Sequence, residues 1–217
     1  MRYFAIVIVI LIKSSAVVHP LTPRSTEQIQ SIQLNGTIVD GKDTFNFNLM
    51  VKGQDKLRAS IQIQGRHTKF EIIYLKGILC TSRTKDKESE TVQLEGTKAA
   101  TNLLDLIAMN PLHHFKSRDG FEMDNPVFKD FELVYESTED LKESIDDALP
   151  LTIKLYEIGT NTRSLTRTIK YVSFHDVKEV IAQPKEILLI DETSANTARI
   201  IINDYSYNKG IPDFVFN

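Results

Sequence analysis

Hydrophobic and polar residues alternate along much of the chain beyond its N-terminal segment. In segment 57–64, apolar side chains fall at Leu57, Ala59, Ile61 and Ile63, with polar side chains between them. Successive side chains of a β-strand point to opposite faces, so this period of two predicts a strand with one buried face. The same pattern predicts strands over 32–38, 44–51, 57–64, 68–75 and 78–82. Short turns such as Asp40-Gly41 and Lys76-Gly77 separate them, which is typical of an antiparallel meander.

The period then changes from that of a strand to that of a helix. Segment 85–90 is highly charged, which predicts an exposed loop. From residue 97 to residue 109 the apolar positions recur at helical spacing, and Pro111 follows the end of this pattern. Thr97 or Thr101 is expected to cap the start of the helix. The apolar face of the helix must lie against either the sheet or a ligand.

The C-terminal part returns to alternation. Further strands are predicted over 126–135, 151–158, 167–175, 186–190 and 198–207, and the acidic segment 138–148 is only weakly helical. The sum is about ten strands and one clear helix. We therefore predict an α+β fold with one large, curved antiparallel sheet and a few short helices on one face.

The N-terminus has the pattern of an export signal. Arg2 precedes an apolar run over 3–12, and the small residues Ser14-Ser15-Ala16 follow it. This run is shorter than the roughly 20 residues that span a bilayer. We expect a signal peptide over 1–16 and a single domain over 17–217. The alternative is a buried N-terminal strand or helix, which the prolines at positions 20 and 23 disfavour.

Composition and charge narrow the class of protein. The chain is 41% hydrophobic and 25% charged, as folded domains are, and its net charge of −3 gives no reason to expect nucleic-acid binding. Cys80 is the single cysteine, so no intramolecular disulfide forms and no cysteine after the apolar run is available for lipidation. The mature protein is expected to be soluble. Asn35-Gly36-Thr37 matches a glycosylation sequon, which matters only in a eukaryotic secretory pathway.

No catalytic motif is present in the sequence. His113-His114 are adjacent and point apart in either a helix or a strand, so solvated histidines are favoured over a metal site. Cys80 falls within a predicted strand, which favours a buried thiol over a nucleophile. The acidic segment 139–147 lacks the alternating ligands and central glycine of a calcium loop. We predict no enzyme activity, no cofactor and no metal.

The remaining candidate for a functional site is an apolar cavity, because a curved sheet and an apolar helix can enclose one. The alternative is that the same side chains simply fill a core, and the pattern alone does not distinguish the two. The candidate lining residues are Phe45, Phe47, Leu49, Leu57, Ile61, Ile63, Phe70, Ile72, Leu103, Leu104 and Ile107.

Two segments add a family resemblance. Gly53-Gln54-Asp55-Lys56-Leu57-Arg58 resembles the strand-opening "P-x-K-(L/F)-R" step of the outer-membrane lipoprotein carrier family (LolA/LolB-like), and 204–216 resembles the terminal strand of that superfamily. The resemblance implies an incomplete antiparallel barrel lidded by helices, with a hydrophobic cavity for lipoprotein acyl chains. In that family a strand arginine bonds the helical lid and holds the empty cavity closed. Arg58 matches this position, and the alternative for Arg58 is a solvent-facing strand residue.

The resemblance implies a soluble periplasmic carrier, monomeric, that moves the acyl chains of lipoproteins or lipids towards the outer membrane. Membrane-bound donor and acceptor proteins would be its partners. The sequence departs from the family in leaving little room for a long N-terminal helix and in lacking the lipidated cysteine of the membrane-receptor branch. The alternative is an envelope sensing or scaffolding domain of the same fold that binds a protein.

Overall fold

The computed structural model describes residues 30–53, 55–85, 88–109, 125–136, 152–175 and 183–216. Within them, the strands form a single antiparallel sheet of eleven strands. The strands are β1 (Ser31–Asp40), β2 (Asp43–Lys52), β3 (Lys56–Ile63), β4 (Lys69–Leu75), β5 (Ile78–Lys85), β6 (Glu88–Gln93), β7 (Phe131–Glu136), β8 (Thr152–Ile158), β9 (Arg163–Phe174), β10 (Pro184–Asp191) and β11 (Asn196–Tyr207).

The strand order is β6-β5-β4-β3-β2-β1-β11-β10-β9-β8-β7. The sheet therefore consists of two meanders, and they are joined where the last strand, β11, pairs with the first, β1. Strands β6 and β7 are the two edges and do not pair with each other, so the described sheet is not closed. The predicted large antiparallel sheet is confirmed, with one strand more than the sequence indicated.

Tight turns set the register of the hairpins. Lys76 and Gly77 have φ values of 49° and 88°, and they join β4 to β5 as a two-residue loop. Positive φ at both central residues is the geometry of a type I′ turn, whose twist matches that of the flanking strands. The predicted turn at Lys76-Gly77 is therefore confirmed.

The helix α1 (Gly96–Ala108) follows β6 directly, within one residue of the predicted bounds. Its N-cap is Glu95, which makes no side-chain capping bond, so the expected cap at Thr97 or Thr101 is wrong. Thr101 instead donates its hydroxyl to the carbonyl of Thr97 at 2.9 Å, one turn back inside the helix. Packing rather than capping thus holds this helix, because seven of its residues are buried: Ala99, Ala100, Leu103, Leu104, Leu106, Ile107 and Ala108.

The core lies between α1 and one face of the sheet, which we call the inner face. This face carries Leu49 and Leu57 in the first meander and Ile153 and Ile169 in the second, all completely buried in the same cluster as the helix. Because strands far apart in the sheet order contribute side chains to one buried cluster with the helix, the sheet must curve around it.

A 3₁₀ helix over Pro126–Phe128 packs against α1 and adds Phe128 to the core. The buried side chain of Asn125 holds it in place, donating to the Tyr74 hydroxyl at 2.8 Å and accepting from the amide of Val127 at 3.0 Å. The strand expected over 126–135 is therefore corrected, since its first three residues form this helix and β7 begins at Phe131.

Two further expectations need correction. The charged segment 85–90 is not a loop throughout, because Lys85 ends β5 and residues 88–90 open the edge strand β6, which is exposed along its length. An edge strand needs no buried face, so its sequence lacks the apolar alternation that marks the other strands. The predicted helix-compatible segment 138–148, His113-His114 and the signal peptide over 1–16 all lie outside the described residues.

Gly36 sits at an irregularity in β1, where the pairing with β11 shifts register between Asn35 and Gly36. The ring of Phe47 lies over this glycine. A Cβ at position 36 would fall 2.6 Å from Phe47 Cε1 and still closer to the carbonyl oxygen of Ile201. The sequence therefore places glycine where the strand backbone and a core ring approach each other closely.

Candidate functional site

The strand register places every predicted lining residue of the sheet on the inner face. Phe47, Ile61 and Phe70 pair in one row across β2, β3 and β4. Phe45 and Ile63 form the next row towards the hairpin turns. The predicted residues are therefore brought together, and with the three on α1 they surround a common interior.

One part of this predicted lining is filled. Leu49, Leu57, Leu103 and Leu104 are completely inaccessible to solvent, and Phe47 and Ile107 are each 4% exposed. These side chains pack against one another between the sheet and α1. For this part of the interior, the alternative of a filled core is the one that the structure favours.

The other part is not fully covered. Phe45, Ile61, Ile63, Phe70 and Ile72 are only half-buried, although all five are large and apolar and lie on the inner face. Ile61 and Ile72 contact the core, whereas the other three lie farther from it, towards the hairpin turns. We call these five residues the apolar strip. It is the part of the predicted lining of the sheet that solvent partly reaches.

Arg58 lies on the opposite, outer face of the sheet, because it alternates with Leu57 and Ala59. Its guanidinium donates to the carbonyl of Val215, and it forms an ion pair with Glu71 at 2.9 Å. These contacts correct the expectation drawn from the resemblance: in the described residues, Arg58 is tied to the C-terminal segment and not to the helix.

The partners of Arg58 also shape the charge of Glu71. Partial burial of Glu71 favours its neutral form, but hydrogen bonds from Lys69 and Arg58 outweigh it and hold the pKa of this carboxyl below its ordinary value. Glu71 therefore stays ionised on the outer face.

The C-terminal segment after β11 crosses the outer face and ends in a 3₁₀ helix, Asp213–Phe216. Lys52 donates to the carbonyl of Ile211 at 2.9 Å, and both Lys52 and Lys56 pair with Asp213, at 2.9 and 3.0 Å. Phe216 is 1% exposed, yet it does not belong to the inner core. The terminal strand expected over 204–216 is thus corrected: the strand ends at Tyr207, and the rest covers the outer face.

The polar tie between helix and sheet comes from a different arginine. Arg167 of β9 lies on the inner face and donates through Nε and Nη2 to Asp105 of α1, at 3.0 and 2.5 Å. Both side chains are 17% exposed. Burial raises the pKa of Asp105 to about 6, against the lowering effect of Arg167 and with a smaller raising effect of Asp191.

Two more bonds fix the end of α1. The Tyr171 hydroxyl donates to the carbonyl of Ala108 at 3.0 Å, and burial raises the pKa of this hydroxyl well above its ordinary value, so it remains a donor. The Gln183 amide donates to the carbonyl of Met109 at 3.1 Å. These side chains satisfy carbonyls that a helix end leaves without partners.

Metal-ligating side chains do not cluster in the described part of the chain. The described residues contain no group of three or more histidine, cysteine, aspartate or glutamate side chains placed to bind a metal ion. Cys80 is a free thiol, half-buried on the outer face of β5. No described helix has the length and apolar character needed to cross a membrane.

Comparison with solved structures identifies the fold class. A DUF1329 family protein from Desulfovibrio piger has a TM-score of 0.51 at 11% identity, covering 88% of this chain and 91% of that chain. A putative outer membrane lipoprotein-sorting protein domain from Vibrio parahaemolyticus has a TM-score of 0.52 at 8% identity, covering 87% and 89%. A LolA superfamily protein from Nitrosomonas europaea has a TM-score of 0.50 at 13% identity, covering 90% and 91%.

These likenesses show that the fold is LolA-like, as the sequence resemblance implied. At identities this low they show the fold alone. Neither a protein-family model nor a curated protein sequence matches the chain.

Proposed function

We propose that the protein is an exported, non-catalytic carrier that binds the acyl chain of a lipid or lipoprotein on the inner face of its sheet. The observation that carries the proposal is the apolar strip. Soluble domains bury most of their large apolar side chains, and a patch of neighbouring ones that stays only partly covered on the inner face is what a binding surface for an apolar ligand requires. The LolA-like fold supports the same class of ligand.

Contact with the strip would contribute to binding through the burial of apolar surface. Each Å² of apolar surface that an acyl chain covers contributes roughly 25 cal/mol before the costs of association. Because the strip adjoins the packed helix–sheet core, a chain lying on it would extend the existing core without displacing buried residues.

The remaining elements of the proposal follow from the resemblance. The carrier would be monomeric and periplasmic, exported through its N-terminal signal. It would receive its cargo from one membrane-bound protein and deliver it to another at the outer membrane.

A second candidate function is a scaffolding or sensing domain that binds a protein. The filled interior around Leu49, Leu57 and Leu104 favours it, because this part has no space for an acyl chain. In this case the apolar strip would be covered by a protein surface.

Native mass spectrometry of the exported protein, followed by organic extraction, tests the first proposal. We expect an acyl-chain species to co-purify with the wild type and to be lost in Ile63→Asp, which places a charge in the strip outside the packed core. Val172→Asp is the matched control, because Val172 lies on the outer face and is 52% exposed. A ligand-free wild type that also takes up no fluorescent fatty acid would refute the carrier and favour the scaffold.

A further inference from the structure

The inner face of the β5–β6 hairpin carries four charges in two cross-strand pairs. Arg83 of β5 lies opposite Glu90 of β6, and Lys85 lies opposite Glu88. On its other side, Arg83 pairs with Phe70 of β4, a member of the apolar strip. The charges therefore follow the strip directly along the same rows of the sheet.

These residues line an open cleft with a volume of about 630 Å³: Arg83, Lys85, Glu88, Ser89 and Glu90. The cleft is polar and exposed, so it does not suit an acyl chain. Its position beside the apolar strip and its charged lining suit the polar group attached to the end of such a chain.

The four charged groups are not used by the described part of the fold. Among the described residues, none of the four takes part in an ion pair within 4 Å. The Arg83 guanidinium lies instead over the Phe70 ring, 5.9 Å from its centroid. It is thus held at the end of the apolar strip with its donors available.

Both signs of charge are present in the cleft, and this narrows the class of ligand. A simple carboxylate head would meet the cations but also Glu88 and Glu90 at close range. An uncharged head would leave all four charges without partners. A zwitterion offers a phosphate to Arg83 and Lys85 and an ammonium to Glu88 and Glu90.

We infer that this cleft binds the head group of a zwitterionic amphiphile of the phosphoethanolamine class, whose acyl chain lies on the apolar strip. The inference rests on the proposed carrier function and adds the chemical class of its cargo. It makes the β5–β6 hairpin the element that selects the head group, while the strip binds the chain.

Three single-chain probes with the same myristoyl chain test the inference: lysophosphatidylethanolamine, the free fatty acid and the monoacylglycerol. Their affinities are measured by competition with a fluorescent acyl probe below their micellar concentrations. We expect the zwitterionic probe to bind about fivefold or more tightly than the other two, since each exposed charge pair contributes a modest amount.

Variants that remove charges from the cleft give a second test, because they should change the affinities of the two charged probes in different directions. The double variant Glu88→Gln with Glu90→Gln should weaken the binding of the zwitterionic probe about threefold. The same variant should strengthen the binding of the fatty acid, because it removes two negative charges from the cleft. Arg83→Gln should weaken both charged probes by a similar factor. Arg66→Gln, in the exposed turn between β3 and β4, is the matched control and should change neither.

Two results would count against the inference in different ways. If all three probes bind equally, the cleft does not select head groups, and the carrier function stands without it. If no probe binds, the carrier function fails and the head-group site fails with it.

Discussion

Arg167 and Asp105 form a two-pronged ion pair that joins β9 to the helix α1, with donor–acceptor distances of 3.0 and 2.5 Å. The pair lies at the border of the packed interior, and each side chain is 17% exposed. It is the only described ion pair between α1 and the sheet, and its closeness to the core determines how it responds to mutation and pH.

Removing one partner should destabilise the fold. We expect Asp105→Ala or Arg167→Ala to lower the free energy of unfolding by about 2–3 kcal/mol, because each leaves a poorly solvated charge without its partner. Urea denaturation measures the change. Glu132→Ala is the control, because it breaks an ion pair with Arg163 whose side chains are 48% and 49% exposed, and it should cost less than about 1 kcal/mol. Equal losses of unfolding free energy in all three variants would show that the Arg167–Asp105 pair contributes no more than the exposed pair.

The pKa of Asp105 predicts a pH dependence. It is raised from the ordinary value of 3.8 to about 6, so between these values the folded state keeps a proton that the unfolded state has released. The free energy of unfolding should therefore decrease as the pH rises from about 4 to about 6. Urea unfolding across this range should show the decrease in the wild type, and Asp105→Asn should remove that part of the slope. Identical profiles for the two proteins would contradict the raised pKa.

The close approach of Gly36 and Phe47 predicts that a single methyl group is poorly tolerated. We expect Gly36→Ala to cost about 3 kcal/mol, because its Cβ would meet both the Phe47 ring and backbone. The control is Gly41→Ala, where φ is 58° but nothing lies within 4 Å of the added Cβ, and about 1 kcal/mol is expected. Thermal unfolding of the two variants compares the cost of a steric clash at position 36 with the cost of backbone strain at position 41. A larger loss of stability in Gly41→Ala would refute the close contact assigned to Gly36.

Because Arg58 lies on the outer face, we expect its removal to change the stability of the fold and not its affinity for an acyl chain. Arg58→Ala should lower the free energy of unfolding by about 1–2 kcal/mol, because it releases the carbonyl of Val215 and the carboxylate of Glu71. Its affinity for an acyl probe should equal that of the wild type. A variant with normal stability and altered acyl binding would instead support the latch that the family resemblance implied.

Much of the fold could be predicted because one face of most strands is buried. Burial of one face makes apolar and polar residues alternate along β1 to β5. In α1 the same cause makes the apolar residues recur at helical spacing. The edge strand β6 could not be found in this way, since an exposed strand needs no apolar face. The three-residue helix at Pro126 and the path of the C-terminal segment depend on contacts with distant strands, which local patterns do not contain.

For the candidate site, the sequence pattern placed the expected lining residues together on one face of the sheet and helix. It could not show that Leu49 and Leu57 are completely packed while Phe45 and Ile63 are only half-buried. The Arg167–Asp105 pair was missed although a signal exists: Arg167 has the same parity as Ile169 and Tyr171, and Asp105 stands between Leu104 and Leu106. A charge at a position that faces the core usually has a partner there. The same parity argument places Arg58 opposite to Leu57.

The unpaired edges β6 and β7 give the interior a property that a closed cylinder lacks. In a closed cylinder the circumference is fixed by a continuous ladder of hydrogen bonds, and a wider guest must break some of them. Here the seam between the two described edges has no such ladder, so the curvature of the sheet can relax without loss of any strand pairing. The width of the interior is then set by the packing of side chains and not by a closed ring of backbone hydrogen bonds.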